Sequence, residues 1–335
     1  MTKLIKIDKD QLKSDLGKIG LKRGSHIAVT LSFKSIGFVE GGPDVFIDAI
    51  LDVVGPDGTL MMNTFTRLFP LSEIDPKFVF DPASSFPWTG IVPSTLMKRK
   101  NAIRSRHPIC SVVAVGKHAK YLTDGHDENA QNEHLPYTRL AQIHGEYLCI
   151  GLEDRFVAIR HEAQRRAGLF IIPKFSGVLY KNPKEQIRLY ILRNAPCTGT
   201  QPRLVPKLVK DGIVKRGQIG MAPSTFAPAN ALIETMASML RKDPTLNLCN
   251  DLFCTECREL ERKLNLYDRI KNPRFFQKNT IARKMIVLRN KLVLKRYNYP
   301  SFKNSTERAT SLSLLLEFNL PRVVYLITRV LKKKN

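Results

Sequence analysis

A basic residue, a hydroxyl and an imidazole stand within the four positions 104–107. Arg104, Ser105 and His107 are followed by the apolar run 111–115, which predicts a buried strand. Polar side chains at the mouth of a buried strand are typical of active-site loops on α/β scaffolds. A histidine beside a strand more often makes a structural hydrogen bond. The segment by itself therefore leaves a catalytic and a structural role open.

Strand and helix patterns alternate along the chain around this segment. Residues 8–20 predict a short helix, and 26–31 and 59–66 predict strands. Between these strands, the loop 32–42 leads into a helix with Pro43 in its first turn. Strand, loop, helix and strand over about forty residues predict a βαβ unit with parallel strands. The alternation continues with a helix over 91–99, a strand over 147–152, a helix over 158–167, shorter strands over 170–220 and a helix over 229–240.

This alternation predicts an α/β fold with a central, mostly parallel sheet between layers of helices. We expect one domain over residues 1–248, in two lobes of roughly 1–168 and 169–248, the smaller lobe on the substrate side. A basic and mostly helical extension over 249–335 completes the prediction. Residues 67–90, rich in Pro, Phe and Asp, predict a long ordered loop near a site.

The chain carries a formal charge of +24, and more than half of the excess lies in its last quarter. Residues 249–335 contain 20 Lys and Arg against 7 Asp and Glu, which favours an anionic partner. Its basic and apolar stretches 280–297 and 312–334 predict either a helical appendage or an amphipathic anchor on an anionic membrane surface. Nucleic acid is disfavoured because no nucleic-acid-binding motif is present.

No apolar run reaches the roughly 18 residues of a membrane span. The first ten residues also lack the apolar core of a signal peptide. We therefore expect a cytoplasmic protein, with attachment to the inner face of the membrane as the alternative.

Three of the six cysteines, Cys249, Cys254 and Cys257, form the spacing C-x4-C-x2-C. A structural zinc site needs four ligands, and no fourth Cys or His follows closely downstream. In a cytosolic chain such thiols are mostly small buried hydrophobes or unmodified thiols. The sequence therefore predicts no metal.

Short motifs that stand in one order along residues 10–245 give the chain a family resemblance. They are 21–29, 31–37, 41–43, 55–60, 80–82, 90–93, 104–108 with Ser111, 145–151, His161, and 217–222 with Ser224. This ordered set resembles the aminoglycoside 3-N-acetyltransferase family, and residues 249–335 lie outside it.

The resemblance implies transfer of an acyl group from acetyl-CoA, or another acyl-CoA, to the amine of an amino sugar by direct attack on the thioester. Coenzyme A is an anion, and the backbone N–H groups of a loop before a helix can receive its phosphates. The residues implied in cofactor binding are Ser32, Lys34, Ser35, Gly37, Gly41, Gly42, Arg104 and Ser105.

The resemblance also assigns roles to the two histidines. His161 is implied as the base that takes a proton from the amine or holds it neutral, with His107 as a second catalytic candidate. Gln164 and Asp81 are implied in substrate binding.

The chain departs from the family pattern at three places. Thr30 replaces a histidine, Leu135 replaces a serine before Pro136, and Gln164 replaces a glutamate. A glutamine three residues after His161 shares its helix face and can hydrogen-bond the ring. It cannot stabilise an imidazolium by charge, which puts the family's standard catalysis in question.

Three functions stay open on this evidence. The first is an N-acyltransferase for a nucleotide-linked or glycan amino sugar, as polysaccharide biosynthesis uses. The second is an aminoglycoside 3-N-acetyltransferase that confers antibiotic resistance, and the third is a non-catalytic protein that binds coenzyme A. The high positive charge favours the first, because aminoglycosides are polycations. An acidic pocket formed by Glu153, Asp154 and Glu162 beside His161 would favour the second.

Overall fold

A computed structural model describes residues 6–152, 155–169, 173–195, 197–199, 201–249, 251 and 254–264. Its strands are β1 (Lys6–Ile7), β2 (His26–Leu31), β3 (Phe38–Val39), β4 (Thr59–Asn63), β5 (Phe69–Pro70), β6 (Val79–Phe80), β7 (Ile103–Arg104), β8 (Val112–Gly116), β9 (Glu146–Ile150), β10 (Pro173–Lys181), β11 (Ile187–Asn194), β12 (Lys215–Ile219) and β13 (Ala222–Pro228). Its α-helices are α1 (Lys9–Ile19), α2 (Gly42–Val54), α3 (Ile91–Met97), α4 (Ala119–Thr123), α5 (Leu135–Gln142), α6 (Ile159–Arg166), α7 (Val205–Lys210), α8 (Ala229–Lys242) and α9 (Thr255–Lys263).

The chain forms two compact units, and each is built from separated segments. The first unit comprises Met1–Arg67, Phe80–Phe170 and Thr198–Asn250. The second comprises Leu68–Val79, Ile171–Cys197 and Asp251–Asn335. The contiguous domain boundaries expected from the sequence stay a prediction.

The first unit contains a seven-stranded sheet in the order β12–β13–β9–β2–β4–β8–β7. Strand β2 runs parallel to both β4 and β9, which confirms the parallel pair of the predicted βαβ unit. The other four neighbouring pairs are antiparallel, so the prediction of a mostly parallel sheet is wrong. Two of these pairs, β7–β8 and β12–β13, join strands that follow each other closely in the chain, and short connections of this kind produce antiparallel strands.

The predicted helices cover this sheet because their apolar residues recur at helical spacing. Leu12, Leu16 and Ile19 of α1 are buried with Ile47 and Ile50 of α2 in one hydrophobic cluster. Strand residues at alternate positions of β2 join the same cluster. Helix α5 contacts β2, and helix α8 contacts β9. The helices that flank the sheet therefore follow the sequence prediction.

The second unit contains a long antiparallel hairpin of β10 and β11, and β5 pairs with β10. Its strands have nine and eight residues, so the prediction of shorter strands over 170–220 is wrong for this part. The hydrophobic cluster described for this unit is small, with Phe69, Leu71, Ile74 and Leu179 as its buried members.

The predicted basic helices over 280–297 and 312–334 lie outside the described residues, which end at Leu264. Within the described residues, no helix combines the length and the apolar character that crossing a membrane requires.

Candidate active site

Polar side chains meet at the edge of the first unit's sheet where the parallel strands β2, β4 and β9 end. Tyr147 Oη lies 3.0 Å from Thr30 Oγ1, and Asn63 Nδ2 donates to the same oxygen over 3.5 Å. The Tyr137 hydroxyl in turn donates to Asn63 Oδ1 at 2.8 Å. The carboxyl edge of parallel strands is where α/β proteins bind their ligands. Thr30, one of the departures from the family pattern, is therefore a half-buried member of a hydroxyl and amide network.

The loop 32–42 leaves β2 at this edge and turns back over the end of β9. The Ser32 N–H donates to the Ile150 carbonyl at 2.9 Å, and the Ser35 hydroxyl donates to the Ser32 carbonyl at 2.7 Å. A Cβ atom at Gly151 would lie 1.7 Å from Ser35 Oγ, so the loop needs glycine there. The structure thus brings Ser32 and Ser35 together against β9.

Helix α2 begins where this loop ends. Gly41 caps the helix with φ 78°, Gly42 is its first residue with φ 66°, and Gly37 has φ 101°. These positive φ angles suit glycine because other residues carry a Cβ penalty there. Lys34 is exposed on the short 3₁₀ turn Phe33–Ile36. The predicted phosphate-binding residues of this loop therefore share one surface segment before a helix N-terminus.

A strained turn leads into α6, the helix that carries His161. Ala158 has φ 65° and ψ −55°, and the Ile159 N–H donates to the Val157 carbonyl at 2.8 Å. This geometry is a γ-turn of the rare, strained kind. Val157 O also lies 3.0 Å from the Tyr147 hydroxyl, so the turn is held by the network at the sheet edge. Strained backbone of this kind clusters at functional sites.

His161 and Gln164 form a direct pair on one face of α6. His161 Nδ1 lies 2.6 Å from Gln164 Oε1. Because that oxygen can only accept, Nδ1 must carry the proton, and the lone pair of the neutral ring is on Nε2. The side chain is buried, with 9% of the residue exposed. Burial, together with the charge of Arg160 and the proximity of His134, holds the pKa of His161 well below its usual value.

Gln164 is itself held in place by further amides. Its Nε2 donates to Asn247 Oδ1, which also accepts from Gln201 Nε2 at 2.5 Å. The ring of His134 lies 5.1 Å from that of His161. The orientation of the imidazole is therefore fixed by buried groups from two segments of the first unit.

Glu162, the residue after His161, does not add negative charge to the site. Its carboxylate accepts hydrogen bonds from Arg165 and Arg166 at 2.8 Å and from Asn132 at 3.1 Å. Burial would raise the pKa of Glu162, but the two arginines outweigh it and the pKa is lowered. The acidic pocket considered from the sequence is thus neutralised at this residue, while Glu153 and Asp154 lie outside the described residues.

Arg104 is bound by the protein itself. Its Nε donates to Thr64 Oγ1 at 3.2 Å, its Nη1 to the Ser85 carbonyl at 2.6 Å, and its Nη2 to the Thr64 carbonyl at 2.9 Å. The guanidinium lies 5.0 Å from the Phe80 ring centroid, and burial lowers its pKa to about 10. With all three nitrogens donating to protein atoms, this geometry favours a structural role over the predicted phosphate contact.

Ser105 and His107 are also turned inward. Ser105 Oγ lies 2.9 Å from His126 Nδ1. His107 Nδ1 accepts the backbone N–H groups of Ile109 and Cys110 at 3.2 and 3.0 Å, and burial keeps its pKa well below the usual value. These contacts shape the loop before β8, so the geometry favours structural roles here too.

The two predicted substrate-binding residues belong to different elements. Asp81 Oδ1 accepts the Ala83 N–H at 2.9 Å, and the Asp81 N–H donates to Ser85 Oγ at 2.8 Å. Asp81 thus shapes the turn that Arg104 holds, whereas Gln164 is on α6.

Sequence reasoning missed the tyrosines and His134. Tyr147 stands in a buried strand and Tyr137 in a short helix, where each resembles an ordinary core residue. Only the register of β9 beside β2 places the Tyr147 hydroxyl at Thr30. The sequence alone could not have predicted this network, because it depends on which residues of β2 and β9 lie side by side.

A cavity of about 180 Å³ lies in the first unit beside β9 and β13. It is smaller than the roughly 300–1,000 Å³ of typical ligand pockets. Its lining contains none of the predicted site residues and consists of Cys149, Leu152, Arg216, Gly217, Pro223, Ser224 and Thr225.

Comparison with known proteins decides the family. The family model described as aminoglycoside 3-N-acetyltransferase matches residues 29–241, well over half of the chain. The chain belongs to this family. The resemblance drawn from the ordered motifs is thereby confirmed.

Individual family members show the extent of the match. The aminoglycoside N(3)-acetyltransferase VIII of Streptomyces fradiae is 34% identical over 176 residues, which cover 48% of this chain. The match spans 62% of the length of that relative. The solved apoenzyme of AAC(3)-IVa has a TM-score of 0.67 and 25% identity, and the match covers 78% of this chain and 99% of that one. The solved binary complex of AAC-IIIb with CoASH has a TM-score of 0.60 and 24% identity, with 71% and 97% covered.

Proposed function

We propose that this protein is an acetyl-CoA-dependent N-acetyltransferase that acts on an amine of an amino sugar. The observation that carries the proposal is the 2.6 Å hydrogen bond between His161 Nδ1 and Gln164 Oε1. It orients the imidazole and selects the tautomer whose Nε2 can accept a proton from an amine. Membership of a family of acetyltransferases supports the same reaction class.

The proposed reaction needs a neutral amine and a thioester. The amine nitrogen attacks the acetyl carbonyl carbon, the new C–N bond forms, and the C–S bond of acetyl-CoA breaks. His161 Nε2 accepts the hydrogen bond of the attacking amine and relays its proton. The departing thiolate takes up the proton, so the products are an amide and coenzyme A. Because the depressed pKa of His161 disfavours a lasting imidazolium, the ring serves as a transient carrier.

The loop 32–42 supports coenzyme A as the cosubstrate. Its serines and its glycines up to Gly41 lie before the N-terminus of the 13-residue helix α2, where backbone N–H groups attract phosphate. Lys34 adds an exposed cation on the same loop. The solved relative AAC-IIIb binds CoASH, which supports this assignment.

The charge around His161 supports an anionic acceptor. Helix α6 carries Arg160, Arg165 and Arg166 against one carboxylate, Glu162, so its own residues keep a net positive charge after Glu162 pairs with Arg165 and Arg166. A polycation would meet repulsion there, whereas a nucleotide-linked amino sugar would not. The names of the relatives favour the second candidate, aminoglycoside 3-N-acetylation. Both candidates use the same reaction and differ in the acceptor.

A thiol-release assay with acetyl-CoA tests the proposal and ranks the acceptors. One set of reactions contains tobramycin or gentamicin, another contains UDP- or dTDP-linked amino sugars, and a third contains buffer alone. We expect acceptor-dependent release, with the nucleotide-linked sugars giving the higher kcat/KM. Coenzyme A binding without release for any amine would instead identify a non-catalytic binding protein.

Replacement of His161 tests the carrier role. His161→Ala and His161→Asn are expected to lower kcat by about 100-fold or more, the range for general acid–base catalysis. His144→Asn, which changes an exposed histidine, is the matched control and should keep the wild-type kcat. Wild-type turnover in both His161 variants would remove this residue from the mechanism.

A further inference from the structure

Three thiols of the second unit converge at one point. The Sγ atoms of Cys197, Cys254 and Cys257 lie within 4.8 Å of one another. Cys254 Sγ is 3.4 Å from Cys197 Sγ. In a tetrahedral zinc site with Zn–S bonds of about 2.3 Å, neighbouring sulfurs are about 3.8 Å apart. The observed spacing therefore fits ligands around one ion.

The backbone around these cysteines has the form that a thiolate site requires. Cys254 caps the N-terminus of the nine-residue helix α9, and its sulfur accepts the Cys257 N–H at 3.5 Å. N–H groups and the helix dipole stabilise negative charge on sulfur at this position. Cys254 and Cys257 also have the C-x2-C spacing of structural zinc sites.

The third ligand comes from a distant part of the sequence. Cys197 follows the β10–β11 hairpin and is 57 positions before Cys254. Cys197 and Cys257 are buried, with 7% and 6% of each residue exposed. No disulfide joins cysteines in the described part of the chain. Cys249, five positions before Cys254, belongs to the same group of candidate ligands.

We propose that Cys197, Cys249, Cys254 and Cys257 bind one structural zinc ion as a tetrahedral tetrathiolate site. Four sulfur ligands close the coordination sphere, so the ion has no open position for a substrate and its role is to stabilise the fold. Binding displaces the thiol protons to solvent. The proposal replaces the expectation that the chain needs no metal.

The second unit has a physical reason to need such a site. Its described hydrophobic cluster has four buried members, and small cores are commonly stabilised by metals or disulfides. Through Cys197 and Cys254, the zinc ion would connect the end of β11 to the start of α9. The site is independent of the proposed acetyl transfer, so either proposal can fail without the other.

Metal analysis of the full-length protein, purified without chelators, tests the proposal. We expect one zinc per chain by mass spectrometry, and an X-ray absorption spectrum with four sulfur ligands at about 2.3 Å. Both measurements use the unmodified protein and do not depend on whether a variant folds. Protein without zinc, zinc with nitrogen or oxygen ligands, or iron in its place would overturn the assignment.

Single substitutions then identify the ligands. Cys→Ser changes at each of the four positions are expected to lower the zinc content and the thermal midpoint. Cys110→Ala and Cys149→Ala change thiols of the first unit and should leave one zinc per chain. Full zinc content in soluble Cys197→Ser or Cys254→Ser protein would contradict the proposed ligand set.

Discussion

Gln164 stands where the family resemblance implies a glutamate. Its amide fixes the orientation and tautomer of His161 but offers no charge to an imidazolium. The hydrogen bond to Gln164 selects the tautomer, whereas burial, the charge of Arg160 and the proximity of His134 depress the pKa of His161. For the proposed reaction, this arrangement suits a neutral ring and a brief proton transfer.

Gln164→Glu is expected to move the pH dependence of the reaction. A carboxylate beside Nδ1 favours the charged ring and so raises the pKa of His161 from its depressed value. Activity needs the neutral ring, so the acid limb of kcat/KM should shift to higher pH in the variant. A kcat/KM profile from pH 5 to pH 9 measures this shift.

The control for this experiment is Gln186→Glu, which adds the same charge on an exposed turn of the second unit. Its profile should coincide with that of the wild type. A Gln164→Glu profile that also coincides with the wild type would contradict the coupling of residue 164 to the base.

At the scale of single elements, the turn before α6 stores strain. Ala158 adopts φ 65° although it is not glycine, and its side chain is fully buried. Such strain persists only where the surroundings determine the conformation, and here Val157 is tied to the Tyr147 hydroxyl. The turn sets the point at which α6 begins and thereby the position of His161.

Two alanine-to-glycine substitutions measure this strain. Ala163→Gly, inside α6, should lower the free energy of unfolding by about 1 kcal/mol or more, because glycine is a poor helix former. Ala158→Gly makes the same chemical change but relieves the positive φ, so we expect it to be more stable than Ala163→Gly by about 2 kcal/mol. Urea unfolding of both proteins provides the comparison. Equal destabilisation by the two changes would show that the turn is unstrained.

At the scale of the whole molecule, several histidines are buried in the neutral form. Burial lowers the pKa of His126 to about 3 and that of His134 to about 4, and it also depresses the pKa of His107 and of His161. In the unfolded chain these groups titrate near 6.5. Below that pH the unfolded chain binds more protons than the folded protein. The free energy of unfolding must therefore decrease as the pH is lowered.

We therefore expect the free energy of unfolding to decrease steadily from about pH 7 to about pH 4. Each buried histidine contributes up to about 1.4 kcal/mol per pH unit between its two pKa values. His134→Asn removes one such group and should reduce this slope by up to that amount. Urea titrations at pH 7, 6, 5 and 4 determine it, and an unchanged slope in the variant would contradict burial of a neutral ring.

The net charge of +24 gives a second prediction at this scale. The protein is expected to bind vesicles containing phosphatidylserine at low ionic strength and to leave them at high salt, because screening weakens exposed charges. Changing Lys332–Lys334 to Glu should weaken binding at least about tenfold if the basic tail makes the contact. The same change at Lys98, Lys100 and Lys120 on the first unit is the charge-matched control. Vesicle cosedimentation measures the affinity of both triple variants. An equal loss of affinity in the two would show that the basic tail does not make the contact.

Local patterns in the sequence determined a large part of this protein. Helical spacing in α1 and α2, Pro43 after Gly42 and the apolar run of β2 are all properties of neighbouring residues, so they could be predicted with their positions. The ordered motifs likewise identified the family, and the three-residue spacing placed Gln164 beside His161. In each case the feature depends on residues that are close together in the chain, within one turn, one strand or one short loop.

Tertiary structure alone decided the rest, because those features depend on residues that are distant in the chain. Strand direction made the sheet mixed, and the register of β9 beside β2 brought Tyr147 to Thr30. Arg104, predicted from the sequence to bind phosphate, donates instead to the backbone carbonyls of Ser85 and Thr64. Cys197 contacts Cys254 although the two are 57 positions apart in the chain. The spacing within a short motif could not predict this contact. Burial then determined the histidine pKa values, since desolvation depends on everything that surrounds the ring.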